Sequence, residues 1–219
     1  MRIDIWSDVV CPFCWIGKRH LEAALETFRA RHPEIEVEVV WRAYELDPSA
    51  PRVVGDEPTE TSGQMLSRKY GMSLADAEAG QEQMAARLAE LGLDFDWRAA
   101  RICSTFDAHR LAALAAEHGR ADAVDEALRR AHFTEGRAIS DPAVLHEVGV
   151  GAGLPAEEVD RVLRGDAFAD LVHRDVETAR GLGVRGVPFF VFDDRLAVSG
   201  AQPVEVFDDA LEQAVAAEV

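Results

Sequence analysis

The chain has 219 residues, 48% of them hydrophobic and 29% charged, with a formal net charge of −17. That length can bury a substantial core, either in one elaborated domain or in a domain carrying a large insertion, and the mixed composition is not that of a disordered chain. An acidic excess of this size excludes a phosphate-backbone partner, which needs clustered Lys and Arg, so nucleic-acid binding is not expected.

The opening residues, Met1 to Asp8, place Asp4 and Asp8 where a secretory leader would need an apolar run. No stretch approaches the roughly 18 uninterrupted apolar residues of a membrane span. The expectation is a cytoplasmic protein with no membrane partner. Three cysteines in such a chain do not make a disulfide scaffold, which leaves catalysis, metal binding or simple packing as their use.

In chain order, Ile3, Ile5 and Val9-Val10 read as a buried strand and its exit. Leu21, Ala24, Leu25 and Phe28 then recur at helical spacing until Pro33, and Ile35, Val37, Val39 and Trp41 alternate as a second strand. Such a β-α-β unit places its two strands parallel. Pro48, Pro51, Gly55, Pro58 and Gly63 mark an acidic, exposed connection.

From about Gln64 to Gly181 the texture is Ala- and Leu-rich and helical. Ser73 to Asp76 has the form of a capping box, Thr105 to His118 carries Phe106, Leu111 and Leu114 on one face, and Asp141-Pro142 and Leu154-Pro155 open further helices. About five helices are expected by these signals. Strand texture returns in Val187 to Phe192, with Asp193-Asp194 as a turn and Arg195 to Val198 as the partner strand. A last helix carries Val206, Phe207, Leu211 and Val215. The order is βαβ, helical block, ββα.

Cys11-Pro12-Phe13-Cys14 falls directly after the first strand and opens the first long helix. Unpaired backbone N–H groups and the helix dipole favour a thiolate there, and two intervening residues let the second thiol reach the first. Pro12 suits the first helical position because its missing N–H would be unpaired anyway. A bare C-x-x-C is a weak signal, but one placed between a strand and a helix of a βαβ unit is a strong one. A zinc half-site would need a second ligand pair, which Cys103 and the scattered histidines do not supply, so no metal is expected. Gly186-Val187-Pro188 has two readings, an edge-strand stop or a cis proline whose bend brings a backbone edge against the dithiol.

With these residues the chain resembles DsbA-family thioredoxin-fold oxidoreductases, in their FrnE-like branch. The resemblance runs through Ser7 to Cys14, Thr105-Phe106-Asp107-Ala108-His109-Arg110, Phe133-Thr134-Glu135-Gly136, Gly186 to Val191, and Ser199-Gly200-Ala201-Gln202. It implies an α/β fold, a thioredoxin domain (residues 1–60 and 182–219) interrupted by an all-helical insertion domain (61–181). It also implies a nucleophilic Cys11, a resolving Cys14 and a cis Pro188, with substrate bound along Pro12, Phe13, Val187 and Pro188. The implied activity is dithiol–disulfide exchange with a thiol or disulfide partner, protein or small molecule. No cofactor is required, and glutathione is compatible as a thiol partner. Related 2-hydroxychromene-2-carboxylate isomerases and kappa-class glutathione transferases usually carry serine where Cys11 stands, so a glutathione-dependent isomerase or transferase is the alternative. A non-enzymatic binding module on the same fold is a second.

Phe13 departs from the Pro-His dipeptide of the DsbA prototype. It cannot donate a hydrogen bond or a charge to the thiolate, so the prototype's strongly oxidising character is not carried over in full. Asp8 is positioned either to relay a proton from Cys14 or to cap the strand-to-helix loop. His109 is either a site residue through its motif or a packing histidine bonded to a carboxylate. Cys103 reads as a core cysteine, and Phe13 and Trp15 as an apolar rim, unless either simply packs. No residue pattern fixes an oligomeric state.

Overall fold

The computed structural model describes residues 1–55 and 60–216, so Pro58 of the expected connection lies outside the described residues. Two compact units emerge, one made of Met1–Leu46 with Val172–Val219 and the other of Asp47–Leu171.

The first unit is built on a four-stranded mixed sheet. Strands β1 (Arg2–Ser7), β2 (Glu38–Ala43), β3 (Phe189–Phe192) and β4 (Leu196–Ser199) lie in the order β2-β1-β3-β4. β1 runs parallel to β2 and antiparallel to β3, and β3 runs antiparallel to β4. The parallel pair is joined, as expected for βαβ, by helix α1 (Pro12–Arg31). Residues two apart face the same side of a strand, and both central strands use this. Ile3, Ile5, Phe190 and Phe192 turn to one face and pack with Leu21, Leu25 and Phe28 of α1 and with Phe207 and Leu211 of the last helix, Val204–Ala216. Trp6, Phe189 and Val191 turn to the other face, with Ala179 and Val184.

The hairpin between β3 and β4 has Asp193 and Asp194 both at positive φ, 47° and 56°. Asp is among the residues that tolerate the left-handed region required at both central positions of such a turn. The ladder of β4 starts at Leu196, because Arg195 closes the turn with its N–H on the Phe192 carbonyl at 3.0 Å. Similarly, Ile35 and Val37 pack on the core but pairing of β2 begins only at Glu38, whose N–H meets the Met1 carbonyl.

The second unit is helical: α2 (Ser62–Tyr70), α3 (Leu74–Glu90), α4 (Phe106–Glu117), α5 (Ala121–Arg129), a π-helical turn Arg130–Thr134, α6 (Pro142–Gly151) and α7 (Ala156–Arg164). Helix α8 (Ala169–Gly181) follows, and the Val204–Ala216 helix is α9. Among the described residues there are therefore more helices between 61 and 181 than the five that sequence signals indicate. The difference begins at α2, where Gly63 reads as loop but lies in the first turn. Thr61 and Gln64 form a reciprocal capping box there. At α3 only half of the expected box forms: Ser73 Oγ accepts from the Asp76 N–H, while the Asp76 carboxylate takes the Ser73 hydroxyl.

Buried charges in this unit are matched. Arg129 makes a two-pronged pair with Asp125, one turn back, at 2.8 and 2.9 Å. Arg110 donates to Asp107 and to the carbonyls of Val162, Gly165 and Ala167, closing the C-terminus of α7. The contact boundary at residue 171 differs from the sequence boundary at 181 because α8 bonds to the sheet. Asp175 takes the Ala43 N–H on its carboxylate and the Trp6 indole N–H on its carbonyl, at 3.1 and 2.9 Å.

Candidate active site

β1 ends at Ser7, and Asp8 starts the tight turn into α1: its carbonyl accepts the Cys11 N–H at 3.1 Å. Cys11 is the N-cap of α1 with extended backbone (φ −97°, ψ 113°), and Pro12 occupies the first turn. Cys14 N–H bonds back to the Cys11 carbonyl at 3.1 Å, so both cysteines lie within one turn of the helix mouth. Both are thiols. The first turn carries no acidic residue, so nothing there opposes negative charge at the N-cap sulfur.

Cys11 is almost enclosed and Cys14 more so, at 5% and 1% exposure, whereas Phe13 between them is 44% exposed. The chain thus presents an aromatic ring to solvent beside a recessed sulfur. Trp15 does not join it. At 2% exposure it is interior, which corrects the expected two-ring rim: Trp15 follows Cys14 into the helix body, while Phe13 is in the first turn, where the chain is still at the surface.

Val187 and Pro188 lie at the entry to β3. The Val187–Pro188 peptide is cis, and the Cys11 thiol meets the Val187 carbonyl at 3.6 Å. The Pro188 carbonyl in turn accepts the Gly200 N–H at 2.8 Å. Cys11, Pro12, Phe13, Cys14, Val187 and Pro188 therefore all belong to the first unit, with Cys11 and Val187 in direct contact. Asp8 belongs with them. It is buried, and its Oδ2 accepts the Leu46 N–H at 2.8 Å, tying the exit of β2 to the turn before Cys11.

His109 belongs to the second unit, buried on α4. The nearby carboxylate of Asp107 is engaged by Arg110. Cys103 is also buried in that unit.

Sequence reasoning missed Lys18. Its ammonium is buried at 2% exposure, one helical turn after Cys14, against the Glu22 carboxylate and 5.9 Å from the centre of the Trp41 ring. A lysine in a helix reads as surface, and only the apolar stretch around it could have signalled otherwise. Arg42 was missed for the same reason: from β2 it bridges Asp4 (2.7 Å) and Asp175 (3.3 Å). Among the described residues no group of three or more His, Cys, Asp and Glu is placed to hold a metal ion. No helix of the described residues is long and apolar enough to cross a membrane.

Comparison with known proteins bears on the fold and the family. A crystal structure of a probable DsbA oxidoreductase from Streptomyces coelicolor superposes with a TM-score of 0.89 at 46% identity, covering 99% of this chain and 90% of that one. The uncharacterized protein YwbO of Bacillus subtilis (strain 168) is 25% identical over 219 residues, 96% of each chain. The cytosolic disulfide reductase DsbM of Pseudomonas aeruginosa, in a structure with glutathione, shares the fold at a TM-score of 0.63 and 21% identity, covering 98% of this chain and 99% of that one. The model of the DSBA-like thioredoxin domain matches residues 2–212, and the chain belongs to that family.

Proposed function

We propose that this protein is a dithiol–disulfide oxidoreductase whose active site is Cys11-Pro12-Phe13-Cys14. The observation that carries the reading is the pairing of two thiols within one turn of a helix N-terminus, with the outer one, Cys11, against the Val187 carbonyl. In the reducing direction the Cys11 thiolate attacks one sulfur of a substrate disulfide. The S–S bond breaks, a mixed disulfide forms, and the departing sulfur leaves as a thiolate that takes a proton. Cys14, deprotonated, then attacks Cys11 Sγ and releases the second substrate thiol. The substrate gains two electrons and two protons, and the protein is left with a Cys11–Cys14 disulfide. The reverse sequence oxidises a dithiol.

Phe13 offers an apolar contact beside the sulfur, and the backbone edge at Val187 and Pro188 is where an extended substrate pairs. Asp8 holds the turn that presents Cys11. The thioredoxin-like part (1–60 and 182–219) carries the chemistry, and the helical insertion (61–181), with His109, belongs to its support. Glutathione is the natural small thiol for closing the cycle, in line with the glutathione present in the DsbM structure. A cytoplasmic location fits the same relative, which is described as cytosolic.

The test is turnover of insulin disulfides with a thiol reductant, together with reoxidation of a reduced protein. Cys11→Ser abolishes both, because a hydroxyl forms no mixed disulfide. An inactive wild type, together with a Cys11→Ser variant that still isomerises a small aromatic substrate with glutathione, would overturn the assignment. Activation of glutathione needs only a hydrogen-bond donor to its sulfur, whereas exchange needs two sulfurs at one site.

A further inference from the structure

We propose that Gly17 is a positioning residue, and that its missing side chain is what lets helix α1 hold the Pro188 turn against Cys11. The inference rests on Cys11 being the reacting thiol, and adds to that reading a residue outside the Cys-x-x-Cys segment.

Gly17 lies inside α1, in its second turn, where glycine weakens a helix relative to alanine, so a reason for it must come from packing. A Cβ at Gly17 would sit 2.9 Å from Pro188 Cγ, 3.1 Å from Phe190 Cζ and 3.6 Å from Ala201 Cα. None of these neighbours yields easily. Phe190 is fully buried and stacked edge-on against Phe207, with ring centroids 4.7 Å apart. The Pro188 side chain closes back onto its own backbone N and has no rotamer to swing away, and the Pro188 carbonyl is held from the other side by the Gly200 N–H at 2.8 Å. Gly200 has φ +83°, a conformation that other residues adopt only with strain. Two glycines therefore grip one turn. Gly17 admits it from the helix side, and Gly200 anchors it from the β4–α9 loop. The grip fixes the Val187 carbonyl 3.6 Å from Cys11 Sγ.

Displacing the turn has two effects of opposite sign on reactivity. The negative end of the Val187 carbonyl leaves the sulfur and water reaches it, both of which favour the thiolate. At the same time, the backbone edge at Val187 is no longer in register with Cys11 for an extended substrate. Gly17→Ala thus makes the sulfur more reactive toward a small alkylating agent and less effective toward a peptide disulfide.

The experiment measures Cys11 alkylation by iodoacetamide against pH in a Cys14→Ser, Cys103→Ser background, and disulfide turnover with a peptide substrate in the otherwise intact chain. Gly17→Ala is expected to move the alkylation profile to lower pH and to raise KM about tenfold, the loss of roughly one hydrogen bond of docking. Gly200→Ala is expected to give the same pair of changes, and carries the test if Gly17→Ala does not fold. Gly80→Ala is the control: Gly80 is an exposed helix glycine with nothing within 4 Å of its added Cβ, and alkylation and turnover are expected to stay at the wild-type values. Folded Gly17→Ala and Gly200→Ala proteins with wild-type profiles and KM overturn the inference, as does a profile shifted to higher pH. A wild type that lacks disulfide turnover defeats the proposed function instead, and the alkylation arm still judges the grip on the turn.

Discussion

At the scale of single residues, the division of labour proposed for the two cysteines follows from where each sits. Cys11 is at the N-cap and Cys14 is one turn inside, less exposed than Cys11. Cys14→Ser should therefore accumulate mixed disulfides through Cys11, seen as mass adducts that a reductant removes, with turnover falling by orders of magnitude. An adduct on Cys14 in the corresponding Cys11→Ser variant would reverse the roles. The residues proposed for this centre stand out in the sequence because each carries a mark: a repeated cysteine, a proline before an apolar run, an aspartate before the helix. Lys18 and Trp15 carried none. Both fall on the first turns of an amphipathic helix, and periodicity alone places a lysine outside and leaves a tryptophan free to take either side.

At the scale of elements, the β-texture was legible because β1 alternates Ile3 and Ile5 with polar residues, β3 is a short run of four apolar residues, and Asp193-Asp194 is a turn dipeptide. Helix α2 was not, since glycine and a run of polar residues hide its start. Its capping box makes it testable. Thr61 accepts the Gln64 N–H at 3.2 Å while Gln64 returns a bond to the Thr61 N–H at 2.9 Å. Thr61→Ala is expected to cost about 1 kcal/mol, read as weakened amide protection confined to α2.

The docking of α9 on α1 has its own pH signature. Burial pushes the Glu212 carboxyl up, but hydrogen bonds from His32 and Arg31, together with their charges, outweigh it and hold the group below its ordinary range. A carboxyl whose folded value lies below its unfolded one stabilises the fold above the unfolded value, about 4.3 for Glu. That contribution is lost as pH falls through the folded value. Amide protection in α9 should therefore drop as the solution is acidified below about pH 4, and Glu212→Gln should weaken that pH dependence. Protection in α9 that falls just as steeply in the variant would remove this clasp as the cause.

At the scale of the whole molecule, the net charge of −17 acts on any charged substrate approaching the site. Repulsion of an anion is strong at about 0.01 M salt, where screening extends about 30 Å, and is much reduced at 0.15 M, where it extends about 8 Å. The rate with the anionic disulfide of glutathione should rise several-fold across that range, while the rate with an uncharged disulfide such as that of 2-mercaptoethanol stays level. Equal salt dependence for both would mean that the net charge does not steer the substrate, and a rate with the glutathione disulfide that falls with salt would mean that positive charge local to Cys11 outweighs it.

The central pairing of the sheet also bears on how the protein is made. Ile3 pairs with Phe192 and Trp6 with Phe189, so the first strand has no antiparallel neighbour until Phe189–Phe192 have been made. At about 5–20 residues per second, synthesis leaves it waiting for roughly ten to forty seconds. The intervening unit, Asp47–Leu171, is continuous in sequence and is synthesised only about one to four seconds before that pairing can occur. Throughout the wait Cys11 and Cys14 belong to an unfinished sheet, without the Val187 carbonyl that later encloses the outer sulfur. A nascent chain of this kind is most exposed to oxidants, and to premature capping by exchange with small disulfides, before β3 emerges.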